Sequence, residues 1–162
     1  HILTLQRCII CIDSHLNFWT IGSNSHGLMG VTASNFTEFT KLRPLDEPAF
    51  LSSLPPNLNL KNHELTHAAH GSYHVILIFD NLQVYTVGFN GCGELCIGST
   101  SSKSIYSRVA IDFPAEVKLL NVGLNHNLIL LENNDIYVSG YNSFGRKSQF
   151  ILPMIHSYLI ID

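Results

Sequence analysis

The chain has 162 residues, the length of one domain and enough to bury a core. Charged residues make up 13%, against about 25% in an ordinary globular domain, and the formal net charge is −3. That balance argues against direct nucleic-acid contact over a broad basic surface. No apolar run reaches the ~18 residues of a membrane span, so no membrane partner is expected.

Taken in order, Ile9-Ile10-Cys11-Ile12 is a short apolar run, followed by Trp19 and a glycine-punctuated stretch to Gly30. Residues 31–62 read as a long connector with Pro44, Pro48, Pro55 and Pro56, and carry one chance-level glycosylation triplet, Asn35-Phe36-Thr37. Val75-Ile76-Leu77-Ile78-Phe79 is wholly apolar and β-branched, the pattern of a strand buried on both faces. Asp80-Asn81 supplies a turn, and Leu82–Val87 is a second strand of β-formers. Residues 99–116 form a Ser/Thr-rich connector ending near Pro114. Leu128–Leu131 and Ile136–Ser139 form another hairpin, and Ile155–Ile161 reads as the start of a fourth unit.

The best stretch repeats. A shift of 52 residues places Gly71 on Gly123, His74 on His126, Tyr85 on Tyr137, Gly88 on Gly140, Asn90 on Asn142 and Gly93 on Gly145. A shift back of 66 places Trp19, Gly22, Asn24 and Gly27 on Tyr85, Gly88, Asn90 and Gly93, with Leu5 and Cys8 where the others carry Gly and His. The copies span about 5–30, 64–98 and 117–145. A β repeat of about 50 residues points to propeller blades or another array. The expected fold is all-β: a partial β-propeller of about three blades of antiparallel strands, with almost no helix and with Ile9–Ile12, Val75–Phe79 and Leu128–Leu131 as inner strands.

Gly-x-x-His, an apolar run, then Val-Tyr-x-x-Gly-x-Asn-x-x-Gly-x-Leu resembles the repeat of the regulator of chromosome condensation family. The resemblance covers nearly the whole chain; the third copy departs from it at Arg146-Lys147-Ser148, and the first is degenerate in its opening half. It implies a seven-bladed β-propeller with about one repeat per blade. Three copies cannot close such a ring, so the rest of a longer chain is expected, and the open sides should associate through Ile2–Leu5 and Ile155–Ile161. The resemblance also implies a non-enzymatic protein-interaction module that presents loops to a protein partner. The alternative is guanine-nucleotide exchange on a small GTPase. The connector over 40–60 is expected to project from one face and to contact the partner.

Other chemistries compete with that reading. His63-Glu64-Leu65-Thr66-His67 fits H-E-x-x-H; on a helix the two histidines would sit about 6 Å apart and hold zinc, with Glu64 as general base. In a strand His63 and His67 lie about 13 Å apart, too far to share one ion, and the carboxylate that a thermolysin-like site wants near Val87 is missing. His74 recurs as His126 and reads as a packing position whose ring bonds backbone. Cys8-x2-Cys11 and Cys92-x3-Cys96 invite a zinc reading, yet Cys11 aligns with Leu77 and Ile129 and behaves as a small apolar residue. No disulfide framework is read, which points to an intracellular setting, cytoplasmic or nuclear. Gly88-x-x-Gly91-x-Gly93 opens no helix, so a dinucleotide cradle fails its context test. No catalytic residue, cofactor or metal is assigned.

Overall fold

A computed structural model of the chain describes residues 1–55, 58–141 and, as backbone, 158–161. The described strands fall into three sheets of four. Sheet 1 holds β1 (Ile2–Thr4), β2 (Cys8–Ile12), β3 (Phe18–Ser23) and β4 (Asn35–Leu42). Sheet 2 holds β5 (Leu65–His70), β6 (His74–Phe79), β7 (Gln83–Gly88) and β8 (Lys103–Arg108). Sheet 3 holds β9 (Val117–Val122), β10 (His126–Leu131), β11 (Ile136–Gly140) and β12 (Tyr158–Ile161). Each strand pairs with its chain neighbour, antiparallel except β12, which runs parallel to β11. The architecture is the expected three-bladed partial β-propeller, with the three predicted runs on β2, β6 and β10 inside their sheets.

The sheets stack face to face, with sheet 2 in the middle. Side chains alternate across a strand, so β6 serves two interfaces at once. Val75, Leu77 and Phe79 join Ile10, Ile12 and Phe18 of sheet 1 in one apolar cluster. Ile76 and Ile78 join Ile129 and Leu131 of sheet 3 in a second. Every residue of β6 is buried, which is why its sequence is an unbroken apolar run rather than an alternating one.

The repeated glycines make two close approaches possible. Gly88 has φ +114°, and a Cβ there would lie against the Tyr73 carbonyl oxygen and 2.8 Å from His74 Cα. This approach lets Phe89 N donate to Tyr73 O at 2.6 Å. Gly22 and Gly140 repeat the geometry, with Ser23 N donating to Arg7 O and Tyr141 N to Asn125 O. In Gly-x-x-His the glycine clears room for the imidazole: a Cβ on Gly71 or Gly123 would run into the ring of His74 or His126. The first copy makes the compensating pair, a leucine at the glycine position with a small thiol in place of the ring; Leu5 and Cys8 are both buried.

The asparagines staple the turn that follows. Asn24 Nδ2 donates to Val31 O and Ala33 O, and its Oδ1 accepts from Met29 N. Asn90 does the same with Ser99 O, Ser101 O and Leu95 N. Gly27 and Gly93, at φ +71° and +77°, turn the chain inside each staple. Asn142 and Gly145 lie outside the described residues.

Several expectations need correction. The connectors are not confined to turns: β4 lies within 31–62 and β8 within 99–116, each adding the fourth strand of its sheet. Their alternation was hidden by a bulge. Register shifts between Thr20 and Gly22, and again between Thr86 and Gly88, set three residues of the outer strand against one of the inner. The Pro-rich connector does not simply project. Through the four-residue helix α1 (Pro48–Leu51) and 3-10 turns at Pro44–Asp46 and Leu60–Asn62, it buries Leu45, Phe50 and Leu60 in the first cluster. The fourth-unit strand over 155–161 is instead, at 158–161, the outer strand of sheet 3; residues 155–157 lie outside the described residues. Finally, the H-E-x-x-H segment is no helix. His67 sits in β5 opposite Ile78, while His63 precedes the strand and its Nδ1 pairs with Asp80. Among the described residues no group of three His, Cys, Asp or Glu side chains is placed to hold a metal. The peptidase reading of His63, Glu64 and His67 is therefore withdrawn.

Candidate interaction face

One rim of the three sheets carries two sets of loops. The first set precedes the second strand of each sheet, at 5–7, 71–73 and 123–125. The second follows the third strand, at 24–34 and 89–102, with Tyr141 starting the last. The Gly22, Gly88 and Gly140 approaches bind the two sets together. Neighbouring sheets are also tied along this rim: Ser72 N donates to Leu124 O at 2.8 Å and Tyr73 OH to Gln6 Oε1 at 3.2 Å.

The repeat residues themselves are mostly buried beneath this rim. What they hold up are side chains at positions that change from copy to copy. His26 stacks on Tyr73 with ring centroids 4.5 Å apart, and Phe89 stands edge-on to His26 at 6.2 Å. Phe89 is 37% exposed and Leu124, on the next loop along, 69%. Beside His26 a cleft of about 470 Å³ opens between the sheet 1 turn and the start of β8, lined by Ser25, Thr32, Ser34 and Lys103 among others. The 52-residue shift turns Tyr73 into Asn125 and Phe89 into Tyr141; the 66-residue shift turns them into Arg7 and Ser23. Such variable positions flanked by repeating ones are the signal that reading for the repeat alone passes over.

Below the rim, sheets 2 and 3 share a polar seam. Asn127 Nδ2 donates to Glu94 O at 2.6 Å and to Ser139 Oγ at 2.9 Å. Its Oδ1 therefore accepts, from His74 Nε2 at 2.6 Å, which fixes the proton of His74 on Nε2. Burial holds the His74 imidazole below its ordinary pKa, against the opposing pull of the Asn127 bond and the Glu94 charge. Glu94 is buried, and one carboxylate oxygen accepts from Cys92 N. Cys8 sits in the apolar cluster between sheets 1 and 2, where burial pushes its thiol up to about 11. Cys11, Cys92 and Cys96 are half-buried thiols, and Cys96 Sγ donates to Ser139 Oγ. Asn127, Ser139 and Cys96 also line a cleft between sheets 2 and 3, together with Ile76, Ile129 and Tyr137.

Residues 117–146 match the family model of the regulator of chromosome condensation (RCC1) repeat. The chain therefore carries a regulator of chromosome condensation repeat over those residues. Its relatives include the X-linked retinitis pigmentosa GTPase regulator of Homo sapiens, 32% identical over 97 residues, which are 60% of this chain and 10% of that protein. The Mus musculus protein of the same name is 25% identical over 159 residues, 90% of this chain and 14% of its own. Among solved structures, Prp20p of Saccharomyces cerevisiae superposes with a TM-score of 0.68 at 21% identity, over 88% of this chain and 32% of that one. Yeast RCC1 (Prp20) bound to Kap60 gives 0.66 at 18%. These structural likenesses establish the RCC1-type propeller fold. The chain spans 10% to 14% of the length of these curated relatives and about a third of the yeast chain.

Proposed function

We propose that the chain is a non-enzymatic protein-interaction module that takes a polypeptide partner on the rim bearing His26, Tyr73, Phe89 and Leu124. The observation that carries this is the exposed aromatic and aliphatic set on loops that are themselves pinned by buried glycine and asparagine contacts. Rigid loops presenting aromatic side chains lose little entropy on binding, and aromatic anchors dominate interface energies. The relatives support a protein partner: Prp20p has binding properties toward Gsp1p and histones, and yeast RCC1 (Prp20) is seen bound to Kap60. The repeat positions Gly22, Asn24, Gly27, Gly71, His74, Tyr85, Gly88, Asn90, Gly93, Gly123, His126, Tyr137 and Gly140, buried or half-buried, act in this reading as supports for the rim, and Asn142 and Gly145 take the same role by sequence.

A second reading is exchange of guanine nucleotide on a small GTPase, favoured by the name GTPase regulator carried by the mammalian relatives. Exchange needs no catalytic side chain; it requires that the nucleotide-free partner be bound more tightly. A nucleotide-release assay against a panel of small GTPases separates the two readings. Release accelerated by this chain and abolished in Phe89→Ala supports exchange. Partner capture that is lost in Phe89→Ala and Leu124→Ala, without any release, supports the interaction module. Capture indifferent to both substitutions removes the rim from either role.

A further inference from the structure

The charges of the chain are sorted between its two ends. Among the described residues the rim loops hold one carboxylate, Glu94, and it is buried. The same rim carries Arg7 and Lys103, both exposed, and the exposed His26. At the opposite end the hairpin turns hold Asp13, Asp80 and Asp135, and the connectors hold Asp46, Glu64 and Glu116. A chain of formal net charge −3 thus has a cationic rim, which favours an anionic partner and speeds its approach. His26 and Lys103 meet in the cleft of about 470 Å³ between sheets 1 and 2. Ser25, Thr32, Ser34 and Ser104 line it with them, and no carboxylate does. These four hydroxyls make no hydrogen bond among the described residues, and all four residues are exposed. The walls are fixed from behind. Asn24 holds Val31 O and Ala33 O on either side of Thr32. Asn90 holds Ser101 O and, through its backbone N–H, Ser102 Oγ just before β8. Gly27 closes the join: a Cβ there would lie on Ser104 Cα and 3.2 Å from Lys103 O. The donors are not part of the repeated scaffold. The 66-residue shift turns Ser25 and His26 into Gly91 and Cys92, and the residue opposite the third-strand glycine is Lys103 at Gly88 but Phe36 at Gly22.

We propose that this cleft receives the phosphate of a phosphorylated serine or threonine in the polypeptide that the rim binds. The proposal rests on the rim being the interaction face and names the chemistry recognised there. A phosphoryl group brings a charge of about −1.5 to −2 and three acceptor oxygens. The cleft meets it with the Lys103 ammonium, a His26 ring N–H and the four uncommitted hydroxyls. A carboxylate, with two oxygens and a single charge, leaves most of those donors idle. His26 joins the cleft to the aromatic set, because its ring also stacks on Tyr73. A segment with its phosphate against Lys103 therefore lays flanking side chains on Tyr73 and Phe89. A nucleic acid is disfavoured, since tight binding to its backbone needs several phosphate contacts and the cleft has one lysine.

Fluorescence anisotropy on the full chain tests the assignment with three labelled libraries of short randomised peptides. The libraries are alike except for phosphoserine, serine or aspartate at one fixed central position. The phosphoserine library binds about tenfold more tightly than the other two, the worth of one charge-assisted hydrogen bond. Lys103→Gln collapses that preference, and so does the double change Ser25→Ala with Thr32→Val; circular dichroism establishes that both variants fold. Arg7→Gln removes a rim charge outside the cleft and leaves the preference within about twofold at physiological salt. Phe89→Ala weakens all three libraries alike and leaves the preference intact. Equal affinity for the phosphoserine and serine libraries, or no binding of either, overturns the proposal. If equal affinities are still lowered by Phe89→Ala, the interaction face stands and only the phosphate reading falls. Equal affinity for the phosphoserine and aspartate libraries also overturns it, in favour of a carboxylate. So does a preference that survives Lys103→Gln or falls as far in Arg7→Gln, or a single-stranded oligonucleotide that binds more tightly than the phosphoserine library.

Discussion

Gly88→Ala isolates what the repeated glycine contributes. Two effects add at this position. The backbone stands at φ +114°, where a non-glycine residue costs about 1–3 kcal/mol. The new methyl also has no space. It meets the Tyr73 carbonyl and lies 2.8 Å from His74 Cα, both backbone atoms that move only if β6 and β7 part. Parting them stretches the bond from Phe89 N to Tyr73 O, now 2.6 Å, worth about 1 kcal/mol. The sum is about 2–4 kcal/mol, or a fall of about 1–2 M in the urea midpoint for a slope near 2 kcal/mol/M. Gly98 is the control: its φ is +71°, and a Cβ there would have nothing within 4 Å. Gly98→Ala therefore loses about 1–2 kcal/mol through conformation alone. Urea titrations followed by far-ultraviolet circular dichroism give both numbers on one scale. Gly22→Ala and Gly140→Ala should match Gly88→Ala, since each closes on the same two backbone groups. Equal midpoints for Gly88→Ala and Gly98→Ala would show that the close approach carries no energy and refute the reasoning.

Other substitutions test separate parts of the argument. Phe50→Ala empties a fully buried aromatic site against Tyr85 and should destabilise by about 3–5 kcal/mol in the same titration, whereas a freely projecting connector would lose almost nothing. Gly123→Ala presses a methyl on the His126 ring alone, so it should cost about 1–3 kcal/mol in the wild-type background and far less in His126→Cys; additive effects would deny the coupling. The pH dependence follows from His74. Its folded pKa lies below the ordinary value near 6.5, so the unfolded chain takes up the proton first and stability falls as pH drops below about 6.5. His74→Gln should flatten that acid limb between about pH 6.5 and the folded pKa, and an unchanged slope would assign the effect to other groups.

Reading the chain in register was enough for the architecture because each repeated residue answers a local demand. Glycine at 22, 88 and 140 is required by a backbone-to-backbone approach, and asparagine at 24 and 90 by a turn whose amides it satisfies internally. Such demands are met within a few residues or one hairpin, so they leave a fixed spacing in the sequence. Even the exception is local: Leu5 with Cys8 keeps the same space filled as Gly71 with His74. What the sequence concealed was set by partners far away in the chain. β4 and β8 are edge strands interrupted by a bulge, and their residues alternate too irregularly to announce a strand. Phe50 belongs to the core only because Tyr85, in the next sheet, stands beside it. The H-E-x-x-H spacing carried a helical meaning that pairing with β6 overrode. The rim of His26, Tyr73, Phe89 and Leu124 comes from four loops, and no local rule brings them to one side. Sequence thus determined the repeating unit, whose contacts are short-range. Only the tertiary structure decided which non-repeating side chains meet, because stacking sheets brings together residues whose separation along the chain encodes nothing about their neighbours.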